Sequence, residues 1–196
     1  WFRRAATQRQ PVAMVHLGRW VRRGQGVGKD IGTAIRSFKA AAPLELPEAQ
    51  LILGVIYTKG LGVPADPEEG AKWIRLAAFQ ANSDAQYAFG MSLLTGNGVG
   101  KDRKMAEVFF TRSADQANKS GQLSLGVLSL DKAQGTKNFV PAYFWLSVAL
   151  ANGNDDAAEA IELAAGVIDD ADRLRARELA IQCEAQEFRD CSRLLK

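Results

Sequence analysis

Histidine occurs once in this chain of 196 residues, as His16, and cysteine only twice, as Cys183 and Cys191. Two thiols and one distant imidazole leave a zinc site half built. No Ser or Cys has an evident base partner. The chain therefore reads as a non-enzyme with no metal and no cofactor. Long apolar runs are missing too: none approaches the ~20 residues of a membrane span. No charged-then-apolar leader is present. There is no initiator Met, and Trp1-Phe2-Arg3-Arg4-Ala5-Ala6 reads as the end of a helix whose partner is missing. The alternative is a short capping helix. On the first reading the chain is part of a longer protein, so the missing leader says nothing about export.

Acidic residues are nearly absent from the first 42 positions, which hold nine Lys/Arg and only Asp30. Residues 154–196 reverse this, with six Lys/Arg against eleven acidic residues. The basic third could face an acidic protein, an anionic polysaccharide or a phosphate-rich polymer; it could equally be a solvated face. No recognisable reader module with interleaved aromatics accompanies it, which argues against nucleic acid.

What the chain has is a period. Gly18, Gly54, Gly90 and Gly126 stand 36 residues apart. Gly24, Gly60 and Gly96 form a second column, Gly26, Gly62 and Gly98 a third, and Asp30, Asp66, Asp102 and Asn138 a fourth. A period in the thirties with helical stretches marks a solenoid. The Gly24-to-Asp30 stretch looks phosphate-binding at a glance. Yet Arg23 stands where a P-loop needs its first Gly and Asp30 where it needs Ser or Thr. Its recurrence at Gly96 to Asp102 marks it as the repeat turn.

Each unit reads as two helices. First helices are expected at 12–23, 47–59, 83–95 and 120–130, from apolar residues at three- and four-residue steps such as Ala49, Leu53, Ile56 and Tyr57. A left-handed Gly ends each one. Asp66-Pro67-Glu68-Glu69 then supplies a cap, a Pro at the first helical position and a Glu two later. Gly54 inside a first helix costs about 1 kcal/mol against Ala; its recurrence implies a neighbouring helix too close for a side chain. Helices are also expected at 155–167 and 170–186. The organisation is thus a partial repeat at 1–11, repeats at about 12–46, 47–82, 83–118 and 119–153, and capping helices at 154–196. Terminal units of solenoids are atypical because they cover an exposed core face.

The run Ala49-Gln50, Leu53-Gly54, Tyr57, Gly60-Leu61-Gly62-Val63, Asp66, Ala71-Lys72-Trp73, Ala77-Ala78 resembles a Sel1-like repeat almost in full. Two further units match, at Ala13–Ala42 and Ala85–Ala114. The fourth departs, because Lys132 and Gln134 replace the loop glycines, so its turn is expected to be reshaped. The resemblance covers roughly 1–153. It implies an all-α fold, a right-handed α/α solenoid similar to tetratricopeptide arrays, with a helical C-terminal cap. It also implies a scaffold or adaptor role, commonly in bacterial envelope and signalling assemblies.

In such arrays the first helices line the concave face. The columns between packing positions run His16, Ile52, Ala88; Arg19, Val55, Met91; Trp20, Ile56, Ser92; and Arg23, Lys59, Thr95. They suggest a groove with apolar floor and basic edge, formed by His16, Arg19, Trp20, Arg23, Ile52, Val55, Ile56, Lys59, Met91 and Thr95. Trp and Arg dominate binding energy at interfaces. Trp20 also fits a plain consensus packing role. The expected partner is a peptide or helix of an envelope protein. A peptidoglycan or exopolysaccharide module is the alternative, and an envelope hydrolase the second alternative.

Cys183 and Cys191 would lie about 12 Å apart along an unbroken helix, beyond the ~7 Å that a disulfide tolerates. Pairing requires the helix to end near Glu187 and the chain to fold back, with Arg189-Asp190 as a candidate bend; otherwise the two remain free thiols. The family resemblance favours a bond, since related extracytoplasmic proteins often close their last helix in this way. A bond in turn favours a periplasmic or secreted location.

Overall fold

The computed structural model describes Phe38, Lys39 and residues 46–195. Every regular element among the described residues is helical. In order these are α1 (Pro47–Lys59), α2 (Pro67–Phe79), α3 (Ser83–Thr95), α4 (Arg103–Ala114), α5 (Lys119–Thr136), α6 (Val140–Ala151), α7 (Ala157–Ala165), α8 (Asp170–Ala185) and a 3-10 turn, Cys191–Leu195. They fall into two compact units that divide after Arg103.

In the first unit, Gly60 ends α1 and Gly96 ends α3, both with left-handed backbone. The turn that follows is tied back by one bond in each copy. The Asp66 N–H donates to the Tyr57 carbonyl at 2.8 Å, and the Asp102 N–H to Leu93 at 2.9 Å. The Asp66 carboxylate then accepts from the Glu69 N–H at 2.9 Å and starts α2. Glu69 does not close a reciprocal box. It accepts from the Trp73 indole at 2.8 Å and holds that ring against the helix.

Gly54 does what its recurrence implied. A Cβ there would lie 2.4 Å from Ile74 Cγ1 and 2.8 Å from the Gly70 carbonyl oxygen. Gly70 mirrors it, 2.7 Å from the Gly54 carbonyl. The α1 and α2 backbones therefore touch. Ala49, Ile52, Leu53 and Ile56 pack with Phe38 in the core beside this crossing.

In the second unit, α6 is buried on nearly every side, including Tyr143, Phe144, Trp145, Leu146 and Val148. A helix apolar all round must be covered all round. Helices α5, α7 and α8 do this. The segment after residue 153 thus packs on α6 as a cap would. Asp169 caps α8 through the Asp172 N–H, and Arg177 donates to the Tyr143 hydroxyl at 3.1 Å.

The chain then reverses, with Glu187, Phe188 and Asp190 in left-handed backbone. This brings the Cys183 and Cys191 Cα atoms to 5.3 Å, and the two sulfurs are bonded. The tail is pinned to the turn between α4 and α5. The Asp190 N–H donates to the Asp115 carbonyl, and the Ser192 N–H and hydroxyl both donate to the Asp115 carboxylate.

The expected end of the fourth first helix, at Leu130, is corrected. α5 continues to Thr136 and stops at Lys137, which itself adopts φ 57°. Without a glycine at 132 nothing favours the left-handed stop there, so the helix runs on for another turn and a half.

Candidate interaction surface

The turns between repeats carry a polar ladder that sequence reading missed. Gln50, Gln86 and Gln122 are buried and 36 residues apart. Gln86 donates to the Ala78 carbonyl at 3.3 Å, and Gln122 makes the equivalent bond to Ala114 at 3.4 Å. Gln50 accepts from Gln80 at 2.7 Å, and Gln122 accepts from Asn152, again one column apart. Gln86 and Gln122 each bond a helix-end carbonyl of the preceding pair. The signal was present as a strict column, but glutamine is usually a surface residue.

Of the expected groove residues, His16, Arg19, Trp20 and Arg23 lie outside the described residues. Ile52 and Ile56 are only 6% and 2% exposed. As they stand they serve the core and offer no face to a partner. The reason is spacing: positions 49, 52, 53 and 56 form the i, i+3, i+4, i+7 stripe that packs inward. The Trp20 column is buried at each described member, Ile56, Ser92 and Leu128.

Val55 and Met91 behave differently. Both are half-buried on their helices, while Lys59 and Thr95, one turn on, are exposed. The Thr95 hydroxyl donates to the Met91 carbonyl at 2.8 Å. In the second unit the same column continues with Val127, an apolar side chain left 48% exposed. Sequence reading stopped this column at three members; its fourth was legible 36 residues on.

The second unit also contains a cleft of about 370 Å³. Its apolar part comes from Leu125, Ala133, Pro141, Trp145 and Leu195, and its polar part includes Thr111, Ser129 and Ser192. At the rim, Lys132 of α5 meets Glu107 of α4 at 3.3 Å. The cleft borders the stretch of α5 that replaces the repeat turn. Among the described residues no group of His, Cys, Asp or Glu could hold a metal. No helix there is long and apolar enough to cross a membrane.

The Sel1 repeat family model matches residues 11–42, 47–80 and 83–118. The chain is also similar to the crystal structure of a Sel1 repeat protein from Oxalobacter formigenes, with 30% identity and a TM-score of 0.69. That match covers 83% of this chain and 47% of the other. A second similar structure is a protective antigen present in uropathogenic Escherichia coli strains, displaying an SLR fold. Here identity is 21%, the TM-score 0.47, and coverage 100% of this chain and 58% of the other. The chain spans about half the length of these solved proteins. No curated protein matches it. The fourth helix pair, which lost its loop glycines, lies beyond the matched residues. With three matched repeats over half its length and the same helix pairs recurring every 36 residues, the chain belongs to the Sel1 repeat family and has its α/α solenoid fold.

Proposed function

We propose that this chain is an adaptor of a bacterial envelope assembly that holds a peptide or helix of a protein partner on its first-helix face. Sel1 repeats generally mediate protein–protein interaction. The observation that carries the site is the column pair Val55 and Met91 of the first unit. Its members keep apolar surface in contact with solvent although the core is already served by neighbouring positions. Apolar side chains left open in this way suit a contact surface. His16, Arg19, Trp20 and Arg23 extend the same columns upstream, and Lys59 and Thr95 supply the rim. The disulfide supports a periplasmic or secreted location.

The test is crosslinking capture from native envelope extract, comparing the parent chain with Val55→Glu/Met91→Glu. Both sites are partly open, so the variant is expected to keep its melting curve. A protein captured by the parent and lost by the variant supports the groove. Equal capture by both removes it. Binding of anionic glycan that falls as salt rises, with no protein captured, favours the basic N-terminal third instead.

A further inference from the structure

Asn-Gly occurs twice in the chain, at Asn97-Gly98 and Asn152-Gly153. This dipeptide carries its own reactivity. The glycine nitrogen can attack the asparagine side-chain carbonyl and close a five-membered ring, because glycine has no side chain to hinder the approach and a freely adjustable backbone. The reaction needs both groups free, and the fold treats the two pairs oppositely.

Asn152 is held at both reacting groups. Its side-chain amide donates to the Ala117 carbonyl at 2.8 Å and to the Gln122 side-chain oxygen at 3.0 Å. The Gly153 N–H donates to the Leu150 carbonyl at 2.9 Å. Asn97, by contrast, is exposed. Among the described residues neither its side chain nor the Gly98 N–H makes a hydrogen bond. The Asn97 N–H donates to the Ser92 carbonyl at 3.1 Å, as the Leu61 N–H donates to Ile56 at 3.0 Å one repeat earlier. The turn therefore uses the backbone of this position and not its side chain. Gln25 and Leu61 stand in the same column, so the repeat does not require asparagine there.

The next residue has no spare room. Gly98 adopts φ 74°, and a Cβ there would lie 1.9 Å from the Pro67 carbonyl oxygen. A backbone made one atom longer just before Gly98 disturbs this packing. It also disturbs the bond from the Asp102 N–H to Leu93 that closes the turn.

We propose that Asn97 is a site of spontaneous deamidation to isoaspartate, and that the change loosens the turn after α3. Base takes the proton from the Gly98 nitrogen, which bonds to the Asn97 side-chain carbonyl carbon. The bond from that carbon to the amide nitrogen breaks, and the amide group leaves with a proton as ammonia. Water then opens the ring. Attack at the side-chain carbonyl gives aspartate; attack at the backbone carbonyl gives isoaspartate, with the chain routed through the former side chain. One water is consumed and one ammonia released, with no oxidation or reduction, and the position gains a negative charge.

The experiment incubates the whole folded chain in heavy-oxygen water at mildly alkaline pH and maps its peptides by mass spectrometry. Electron-transfer fragmentation tells isoaspartate from aspartate, and a parallel sample is held in denaturing urea. Expected is conversion at Asn97 in the folded chain, with isoaspartate in excess. Asn152 should convert at least about tenfold more slowly there, because its hydrogen bonds must open first, and should react much as Asn97 does in urea. Hydrogen exchange of the converted chain should quicken at residues 96–102. Freshly purified Asn97→Asp, which adds the charge without lengthening the backbone, should leave that exchange unchanged. Equal rates at the two pairs in the folded chain overturn the proposal, as does Asn97 that stays intact when folded yet reacts in urea. Unchanged exchange at residues 96–102 after conversion also overturns it.

Discussion

Ala81, Ala117 and Gly153 stand 36 residues apart, and all three adopt left-handed backbone. The turn between repeats needs that conformation whatever residue fills it, because the following Asn must point its side chain at the next helix. Asn82 caps α3 and Asn118 caps α5. Alanine in this region is strained by roughly 1–2 kcal/mol. Ala117→Gly is therefore expected to raise stability by about 1 kcal/mol, read as a shift of the urea midpoint, even though glycine usually weakens folds. The glutamine ladder predicts the opposite sign. Gln122→Ala removes one bond to the Ala114 carbonyl and one from the Asn152 amide at a fully buried position, while each group keeps its bond to the Ala117 backbone. Losing buried hydrogen bonds costs about 1 kcal/mol each, and the urea midpoint should fall accordingly. Both columns were visible as letters 36 apart. Their meaning was not, because neither a left-handed alanine nor a buried glutamine is what residue type alone suggests.

At the scale of elements, the two first helices that end at a glycine were legible to the residue, Pro47–Lys59 and Ser83–Thr95. Proline or polar caps at one end and a left-handed glycine at the other leave little choice. α5 shows the converse: with Lys132 in the glycine column, only the distant Lys137 turn stops it. The α1–α2 crossing reverses the usual helix preference. Gly54→Ala gains helix propensity but places a methyl group 2.8 Å from the backbone oxygen of Gly70, which cannot rotate away. We expect a net loss of about 1–3 kcal/mol, the usual range for overpacking. Thermal unfolding measures it, and a rise in melting temperature would mean that the helices separate freely.

At the scale of the molecule, the repeats explain why function has to be sought in what differs between copies. Gly54 and the Gln column recur because packing requires them. The partly open positions Val55 and Met91 of the first unit and the reshaped fourth turn are not demanded by packing. The C-terminal segment is held by tertiary links, since Asp115 and Ser192 are 77 residues apart in sequence. The disulfide spans 8 residues, and closing so short a loop is worth about 2–3 kcal/mol. Cys183→Ser/Cys191→Ser is expected to lower stability by that amount. Hydrogen exchange should show faster exchange at residues 189–195, with α1 to α3 unaffected. Unchanged protection of the tail would assign its position to Asp115 alone.

The sequence by itself determined the helix pairs, their period, the close crossing at Gly54 and the family. All of these follow from local chemistry: caps, left-handed glycines and residues too small to keep two backbones apart. It also left Cys183 and Cys191 free to pair or not. Spacing already marked Ile52 and Ile56 as part of the inward stripe; tertiary structure alone decided that Val55 and Met91 stay partly open. Neighbouring positions on one helix differ only in what the next helix covers, and that depends on crossing geometry. It likewise decided the cleft, because the space beside an extended helix is set by the elements around it: α4, α6 and a tail brought back from the far end of the chain.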